Sequence, residues 1–386
     1  MGAPRTWGAR SLERSAFKTE VGILGGGIIG LSIALELRRR GASVSVFDVG
    51  QPARAASWAA AGMLAPSTEH IVDPDLQALC QRSLEAYPQF VRALRAGSSI
   101  DPHLRLDGIV SAAHDAETAG ILEMRVRRTA SPQLELIDRE RALALEPALG
   151  RGLRCATIAH GEGHVDNRRL GRALIECCTN AGVQLHTSDA SIALECDSRR
   201  VLGIRTAFGY HAVEWVVNAA GAWASQVSGA PDHATPDVFP VKGQMIALAM
   251  PEGLVRHPIW LRGAYVVPRA HGRLLVGATS EDAGFDTRVT AAGVEGLLHA
   301  AIGAMPALRD LTVTETWAGL RPASEDRKPF IGPTQLDGYY VAAAHYRNGI
   351  LLAPETARLM GECLERRTTA ELQAFLPGRE TRLRTA

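Results

Sequence analysis

The sequence predicts an α/β fold in which a parallel-sheet unit alternates along the chain with a strand-rich unit of mixed topology. Three observations support this prediction. A glycine-rich turn near the N-terminus joins a short apolar strand to an amphipathic helix, strand-like segments dominate the middle of the chain, and a strand–loop–helix unit closes it. With 386 residues, the chain is long enough for one large or two medium-sized domains with buried cores.

The glycine-rich turn is the run from Gly25 to Gly30, GGGIIG. Residues 20–24 before it (EVGIL) predict a buried parallel strand, and residues 28–40 after it predict a helix with apolar residues at helical spacing. Residues 43–47 (SVSVF) predict a second strand, which is followed by Asp48. Strand, glycine turn, helix, strand and terminal acid in this order indicate a Rossmann-type dinucleotide site rather than a purely structural βαβ unit.

Each part of this site has a physical role. Gly25, Gly27 and Gly30 match the glycines that allow a tight turn, close approach of a pyrophosphate and close helix–strand packing. The helix N-terminus directs unpaired N–H groups and a positive dipole end at phosphates. Asp48 is placed to bind a ribose diol and would repel a 2′-phosphate, which favours FAD or NAD over NADP. The motif does not choose between FAD and NAD.

Composition excludes several classes of function. The 42 basic and 41 acidic residues leave a net charge of +1, which gives no reason to expect nucleic acid as a partner. No apolar run approaches the length of a membrane span. The six cysteines form no CxxC pair and no metal-type spacing, so we expect reduced thiols, no metal and a cytoplasmic location.

Residues 1–18 precede the predicted fold. They are basic and have no apolar h-region, so we do not expect a secretory signal there. We expect a disordered tail there, and an organelle transit peptide stays open as the alternative.

The rest of the chain alternates between the two kinds of unit. The patterns predict helices over 73–95, 116–130, 140–147, 168–180, 291–305 and 350–366, and strands over 106–113, 183–186, 191–195, 201–207, 211–218, 243–249, 264–268, 273–277 and 338–344. We therefore expect a discontinuous nucleotide-binding domain (19–87, 155–234 and 315–370), a substrate domain (88–154 and 235–314) and a C-terminal tail (371–386).

Seven short blocks occur in an order that matches one family. They are GGGIIG from Gly25, AAAGML from Ala59, PVKGQ from Pro240, YVVPR from Tyr265, GRLLVGAT from Gly272, WAGLRP from Trp317 and HYRNGILLAP from His345. From about residue 21 to 365 the chain resembles the flavin-dependent amine oxidases of the D-amino-acid oxidase superfamily, and most closely its glycine oxidase branch of the thiamine pathway. The resemblance implies a D-amino-acid oxidase-like fold with FAD as the cofactor.

The resemblance also implies which residues hold FAD. Beside the three motif glycines they are Ile28, Ile29, Asp48, Val49, Ala56, Ser57, Ala61, Gly62, Met63, Ser191, His345, Tyr346, Arg347, Asn348, Gly349, Ile350 and Leu351. Relatives that attach the flavin covalently carry a histidine just after a Ser/Thr-Trp pair. This chain has Ser57-Trp58 followed by Ala59, so we expect FAD to be bound non-covalently.

Oxidation of an amino acid at a flavin requires a neutral amine and a Cα–H bond held close to flavin N5, so the protein mainly positions the substrate. An arginine fork is suited to a carboxylate. By resemblance Arg321 is the carboxylate clamp, Tyr265 assists it and Arg347 is a second arginine on the substrate side. A single arginine is more often a surface charge, but Arg321 follows the apolar run Trp-Ala-Gly-Leu and precedes a proline.

Three other residues have competing interpretations. Gly349 either opens a helix whose N-terminus faces the flavin or merely breaks a loop. His345 is not expected to be a general base, because hydride transfer from a neutral amine needs none. Lys242 of PVKGQ is either close to the flavin or structural, and we favour a structural role.

The leading hypothesis is an FAD-dependent oxidase that converts glycine, sarcosine and small D-amino acids to the imine or 2-oxo acid, with molecular oxygen as acceptor and hydrogen peroxide as product. One alternative is a dehydrogenase of the same fold that uses another acceptor. A second is a non-catalytic flavin subunit of a larger complex. The expected partners are a small amino acid and oxygen, and a homo-oligomer is possible.

Overall fold

The computed structural model describes residues 19–69, 71–129, 132–187, 191–366, 368–379 and 381. The strands are β1 Val21–Leu24, β2 Val44–Asp48, β3 Met63–Leu64, β4 Ile109–Ala113, β5 Leu134–Asp138, β6 Cys155–Ala159, β7 Gly163–His164, β8 Gln184–Thr187, β9 Ile192–Cys196, β10 Val201–Thr206, β11 Gly209–Ala212, β12 Trp215–Asn218, β13 Phe239–Ala249, β14 Ile259–Leu261, β15 Ala264–Arg269, β16 Arg273–Gly277, β17 Thr312–Ala323, β18 Phe330–Pro333 and β19 Tyr339–Ala343. The α-helices are α1 Ile28–Arg39, α2 Ala56–Ala59, α3 Pro74–Gly97, α4 Ala116–Thr129, α5 Arg139–Leu145, α6 Asn167–Asn180, α7 Ala291–Ala304 and α8 Gly349–Arg366.

A six-stranded sheet in the order β18-β19-β12-β1-β2-β8 forms the nucleotide-binding unit. Five of its strands run parallel, and only β18 is antiparallel to its neighbour. The chain leaves β1 towards β2 on one side, and β12 lies on the other side. The strand order therefore reverses at β1, and the crevice beyond its carboxyl end is where open α/β sheets bind ligands.

The two faces of this sheet are covered differently. Apolar residues of α1, α3, α6 and α8 pack on one face, and their side chains form the largest core of the molecule. The antiparallel sheet β9-β10-β11 covers the other face, where Ile204 and Val213 pack with Leu24 and Phe47. Burial on both faces explains why β1 and β12 read as continuous apolar runs.

The second unit is an eight-stranded mixed sheet in the order β17-β13-β16-β15-β14-β4-β6-β5. Its strands alternate in the period of two expected for a sheet. Ile246, Val266 and Leu274 face a core that includes α7. Met245, Tyr265 and Trp317 point the other way and pack with Ala59 and Ala61. This second face, here called the inner face, looks towards the nucleotide-binding unit.

The mixed α/β fold and the interleaving of two units are confirmed, but the course of the chain differs from the predicted domain boundaries in detail. β6 and β17 both pair within the eight-stranded sheet, although the sequence places residues 155–159 and 315–323 in the nucleotide-binding domain. Helix α3 runs through the predicted boundary between 87 and 88. The predicted strand over 211–218 is two strands in different sheets, β11 and β12.

The sequence predicts a tail at each end of the folded part of the chain. Residues 1–18 lie outside the described part of the chain. The segment after 370 folds back in a 3₁₀ helix, Ala370–Phe375, which buries Leu372 and Phe375 in the core. The guanidinium of Arg379 then binds Asp326 through an Nε–Oδ2 distance of 2.8 Å.

The sequence predicts that the chain has no membrane span and that its cysteines are reduced. Among the described helices we find no candidate transmembrane span. All six cysteines are free, and the thiols of Cys177 and Cys178 donate to the carbonyls of Leu94 and Leu31 in neighbouring helices. The adjacent cysteines therefore serve packing between α6, α3 and α1.

Gly30 is the position where the sequence motif most directly constrains the fold. A Cβ there would lie 2.0 Å from the carbonyl oxygen of Gly25, a distance shorter than Cβ atoms adopt in proteins. We expect Gly30→Ala to lower the free energy of unfolding by about 1–3 kcal/mol because backbone must shift, measured by urea denaturation of the apoprotein.

Gly120 provides the matched control because it lies in helix α4, where an added Cβ would meet nothing within 4 Å. Gly120→Ala should leave stability unchanged or raise it by about 0.5–1 kcal/mol through helix propensity. Equal effects of the two substitutions would contradict the packing argument.

Candidate active site

A cleft of about 1060 Å³, counted with its open mouth, lies between the carboxyl ends of the parallel strands and the inner face of the mixed sheet. It brings together residues that are far apart in sequence. The predicted site residues that line it are Gly27, Ile28, Ile29, Ala56, Ser57, Ala61, Gly62, Met63, Tyr265, Arg321, His345, Tyr346, Arg347, Gly349 and Ile350. Its wall is mainly apolar with a few convergent charged groups, as is usual for a cofactor site.

The glycine-rich turn forms one end of the cleft. Gly25 has φ +101°, and a Cβ there would lie 2.4 Å from the carbonyl oxygen of Ala219 at the end of β12. Gly27 is the N-cap of α1 and provides no side-chain cap, and the first turn of α1 carries no acid. The N–H of Ile28 donates to Ser57 Oγ at 3.0 Å. The helix N-terminus therefore faces the cleft with its positive dipole end.

Asp48 lies at the end of β2, beside this turn. Its Oδ2 accepts from the Gly26 N–H at 2.7 Å, and its Oδ1 accepts from the Gly50 N–H at 2.8 Å. Each carboxylate oxygen keeps a further lone pair, so contact with a ribose diol stays a prediction. Val49, next to it, is 65% exposed.

The other predicted cofactor residues lie outside the cleft lining. Ser191 is exposed and precedes β9, four residues after Thr187, the partner of Asp48 between β8 and β2. Gly25 and Gly30 belong to the glycine-rich turn but do not line the cleft. Asn348 and Leu351 are buried next to residues that line it. The roles assigned to all these residues stay predictions.

The segment from Ala56 to Met63 is held against the cleft by two side chains that the sequence did not single out. Asn167 Nδ2 donates to the carbonyls of Ser57 at 2.8 Å and Trp58 at 3.0 Å. The buried guanidinium of Arg269 donates through Nη2 to the carbonyl of Ala61. Burial lowers the pKa of Arg269 to about 10, so it stays charged at neutral pH. The only sequence signal for Arg269 is its place at the end of the apolar YVVPR strand.

The loop from His345 to Gly349 closes the opposite side of the cleft and leads into α8. Ala344 and Tyr346 have φ values of +60° and +47°, which turn the backbone sharply. Helix α8 begins at Gly349, where a Cβ would meet nothing closer than His345 Cβ at 3.6 Å. No acid lies in the first turn of α8. A second helix N-terminus therefore faces the cleft.

His345 is a fully enclosed imidazole. Its Nε2 lies 3.0 Å from Thr356 Oγ1, and burial lowers its pKa to about 3. The ring is neutral at any pH at which the protein would work, so a charged imidazole has no part in the chemistry of the cleft.

Arg321 projects from β17 into the cleft at the inner face. Its Nη1 donates to the carbonyls of Thr279 at 3.0 Å and Lys242 at 3.3 Å, which fix one edge of the guanidinium. A Cβ on Gly243 would lie 2.4 Å from Nη1, so this glycine makes room for the arginine. Within the part of the chain that the structure describes, Arg321 forms no ion pair with a carboxylate. This partly buried cation is therefore suited to bind the carboxylate of a ligand.

Tyr265 lies next to Arg321 on the inner face. It is 8% exposed, and its hydroxyl lies 3.4 Å from Met245 Sδ. Burial raises the pKa of Tyr265 against the opposing effects of Arg321 and Arg347. The phenol is therefore protonated at neutral pH and can donate a hydrogen bond to an anion.

Arg347 also lines the cleft, but it is paired. Its Nε lies 2.9 Å from Glu69 Oε2, and its guanidinium lies over the ring of Trp260 at 5.2 Å. Burial alone would lower the pKa of Arg347, but the nearby Glu69 raises this pKa. Burial raises the pKa of Glu69, and Arg347 and Arg321 oppose that shift. Glu69 has no motif around it, which is why the sequence did not reveal it.

Lys242 is buried at 2% exposure, and its Nζ lies 3.6 Å from Glu281 Oε2. It is absent from the cleft lining, while its backbone carbonyl accepts from Arg321. This position supports the structural interpretation of the lysine. In the described ranges no cluster of His, Cys, Asp or Glu is arranged to hold a metal.

The cleft fits a dinucleotide with a flat ring system. A Cβ added to Gly221 would meet nothing within 4 Å, and at Gly349 it would meet only the side chain of His345, so the backbone leaves room there for a ligand. Two helix N-termini supply N–H groups for anionic or electron-rich edges. Ala59, after Ser57-Trp58, has no nucleophilic side chain to which a cofactor could be attached.

Comparison with known proteins agrees with this geometry. The family model "FAD dependent oxidoreductase" matches residues 20–363. Glycine oxidase of Geobacillus kaustophilus is 35% identical over 91% of this chain and 94% of its own length. Its crystal structure superposes with a TM-score of 0.88 over 94% of this chain and 99% of that one.

Two further relatives extend the comparison. The bifunctional protein ThiO/ThiG of Trichormus variabilis is 35% identical over 89% of this chain. The chain spans about half of that protein, 52% of its length. The crystal structure of iminodiacetate oxidase from Chelativorans sp. BNC1 is 29% identical with a TM-score of 0.84 and covers 93% of this chain and 99% of that one.

The burial of His345 has a measurable consequence for stability. Its pKa is about 3 in the folded protein against 6.5 for a free imidazole, so the unfolded chain takes up a proton below pH 6.5 and the folded protein does not. Acidification therefore destabilises the fold. We expect His345→Gln to remove about 2 kcal/mol of this loss between pH 7.5 and pH 5.

The measurement is the urea midpoint of unfolding at pH 7.5 and pH 5. His299→Gln, on the exposed side of α7, is the control and should keep the acid sensitivity of the parent protein. An unchanged slope in His345→Gln would show that the imidazole is not held neutral.

Proposed function

The chain belongs to the family of FAD-dependent oxidoreductases, and from this premise we propose that it oxidises glycine and other small amines that carry one carboxylate. The overall reaction converts glycine, oxygen and water to glyoxylate, ammonia and hydrogen peroxide. Sarcosine and small D-amino acids are further substrates of the same kind. The observation that carries this proposal is Arg321, a cation without a carboxylate partner among the described residues, beside a protonated tyrosine in the cleft.

FAD, when bound, supplies the two-electron acceptor that takes a hydride from the substrate Cα–H bond. The protein positions the substrate. The free edge of Arg321 binds the carboxylate through charged hydrogen bonds, and Tyr265 donates a further one. Thr279 and Lys242 hold the guanidinium in place through their carbonyls, so its orientation is set before the substrate binds.

Apart from the paired Glu69 and Arg347, the other described side chains that line the cleft with Arg321 are uncharged. Because burial lowers the pKa of His345 to about 3, its imidazole is too weak a base to take a proton from the substrate, which agrees with transfer from an amine that is already unprotonated. Met63 and Met245 contribute apolar side chains to the lining of the cleft. The N-terminus of α8, at Gly349, would stabilise negative charge on a cofactor bound beside it.

We further propose that FAD is bound non-covalently, that oxygen is the acceptor and that the product imine serves thiazole formation in thiamine synthesis. The similarity to the glycine oxidase and the ThiO/ThiG protein supports this assignment. The cytoplasmic location and a homo-oligomeric state stay predictions.

The reaction can be tested by spectroscopy. The purified protein should show a flavin absorbance spectrum that bleaches when glycine is added without oxygen, and admitted air should restore the colour with formation of hydrogen peroxide. Acid precipitation should leave the yellow colour in solution. Bleaching followed by reoxidation with a quinone but not with air would instead identify a dehydrogenase, and absence of bleaching by any small amine would contradict the proposed enzyme.

Arg321→Ala tests the substrate seat. We expect the protein to retain FAD while kcat/KM for glycine falls by an amount equivalent to about 2–4 kcal/mol, because the charged hydrogen bonds to the carboxylate are lost. Arg262→Ala removes an exposed arginine that is paired with Asp115 and Glu117 and should not change the kinetics. If Arg321→Ala keeps the kcat/KM of the parent protein, Arg321 does not bind the substrate carboxylate.

A further inference from the structure

Glu69 is a carboxylate in the cleft that we propose binds the carboxylate of a substrate. Of the described side chains that line the cleft, the charged ones are Glu69, Arg321 and Arg347, since His345 is neutral. Glu69 is bound to Arg347 and lies within electrostatic reach of Arg321. The side chain of Glu69 is 10% exposed and that of Arg347 31%. A substrate therefore meets one compensated cation and one uncompensated cation.

The loop that carries Glu69 is fixed by a second set of buried groups. Both carboxylate oxygens of Glu162 accept hydrogen bonds from residues 67 and 68, among them Thr68 Oγ1 at 2.6 Å. Arg125 donates through Nη2 to the carbonyl of Ser67 at 2.7 Å and to that of Thr68. Glu162 and Thr68 are 2% and 3% exposed. The position of the Glu69 carboxylate is thus built into the fold.

We propose that Glu69 determines how many carboxylates a substrate may carry. As a carboxylate paired with Arg347 at 2.9 Å, it leaves Arg321 as the one uncompensated cation among the described lining residues. The charges of these residues then sum to +1, which matches an amine with one carboxylate. A second carboxylate on the substrate would meet Glu69 instead of a free guanidinium. Such a like-charge contact disfavours binding.

This inference deepens the proposed function, because it assumes that a carboxylate binds in the cleft at Arg321. Its consequence is specific. Glu69→Gln keeps the shape and one acceptor oxygen for Arg347 but raises the net charge of the cleft to +2. The variant should accept N-carboxymethyl amines such as iminodiacetate, in which a second carboxylate is attached to the nitrogen of glycine.

The test uses the FAD-loaded protein and two ligands that contain no amine to oxidise. Methoxyacetate carries one carboxylate and diglycolate carries two, and the binding of each can be followed as a change in the flavin absorbance spectrum. We expect Glu69→Gln to shift the ratio of the two dissociation constants at least about tenfold in favour of diglycolate. The ratio of kcat/KM for iminodiacetate to that for glycine should move in the same direction.

Three controls separate charge from damage to the fold. Glu69→Asp retains the carboxylate and should keep the parental ratio. Glu355→Gln removes a carboxylate that is equally buried and paired with Arg82 and Arg358 but lies outside the cleft lining, and it should change neither ligand. Arg347→Gln lowers the net charge to zero and should weaken both ligands, and the double variant with Glu69→Gln should regain methoxyacetate binding.

The double variant keeps the test decisive if Glu69→Gln alone does not fold, because its prediction rests on the same count of charges. A parental ligand ratio in Glu69→Gln, or a double variant no better than Arg347→Gln, would overturn the inference, and so would failure of both ligands to bind the parent protein. If glycine does not reduce the flavin but the ligand ratio shifts as expected, the proposed substrate is wrong and the role of Glu69 stands.

Discussion

The close approach of backbone to backbone at the carboxyl end of β1 is the constraint on which the rest of the site depends. Gly25 lies against the carbonyl of Ala219, and Gly30 lies against that of Gly25, at distances that admit no side chain. This contact sets the direction of α1 and joins the end of β1 to the end of β12. The helix N-terminus, the Ser57 segment and the loop at Gly349 all reach the cleft from elements that pack on this arrangement.

Charge in the cleft follows from what burial permits. A buried imidazole is neutral, a buried phenol stays protonated, and a buried guanidinium stays charged because its intrinsic pKa is so high. Each arginine near the cleft has a fixed assignment: Arg269 holds the carbonyl of Ala61, Arg347 holds Glu69, and Arg321 is held by two carbonyls. Of these three arginines, Arg321 alone faces the cleft with an uncompensated positive charge, and substrate selection in our account rests on that difference.

The sequence was most informative where local rules apply. The glycine turn, the helix after it and the strand that ends at Asp48 are set by periodicity and by the conformations that glycine allows, and the structure places them within one or two residues. Strands such as β5, β6 and β17 were not predicted, because their residues are stabilised as strands by partners far along the chain. The boundaries between the two units shifted for the same reason.

By itself the sequence determined the type of fold and, through ordered motifs, the family. It also predicted a dinucleotide site and three candidate substrate residues. Only the tertiary structure decided which of two arginines is free. Arg321 and Arg347 look alike as residues in short motifs, but Glu69, an acid in a loop without a motif, pairs with one and not with the other. Asn167, Arg269 and Glu69 each act through a contact that spans more than 100 residues, and no local pattern predicts such a contact. The electrostatics of the cleft is a property of distances in space, which the order of residues along the chain does not contain.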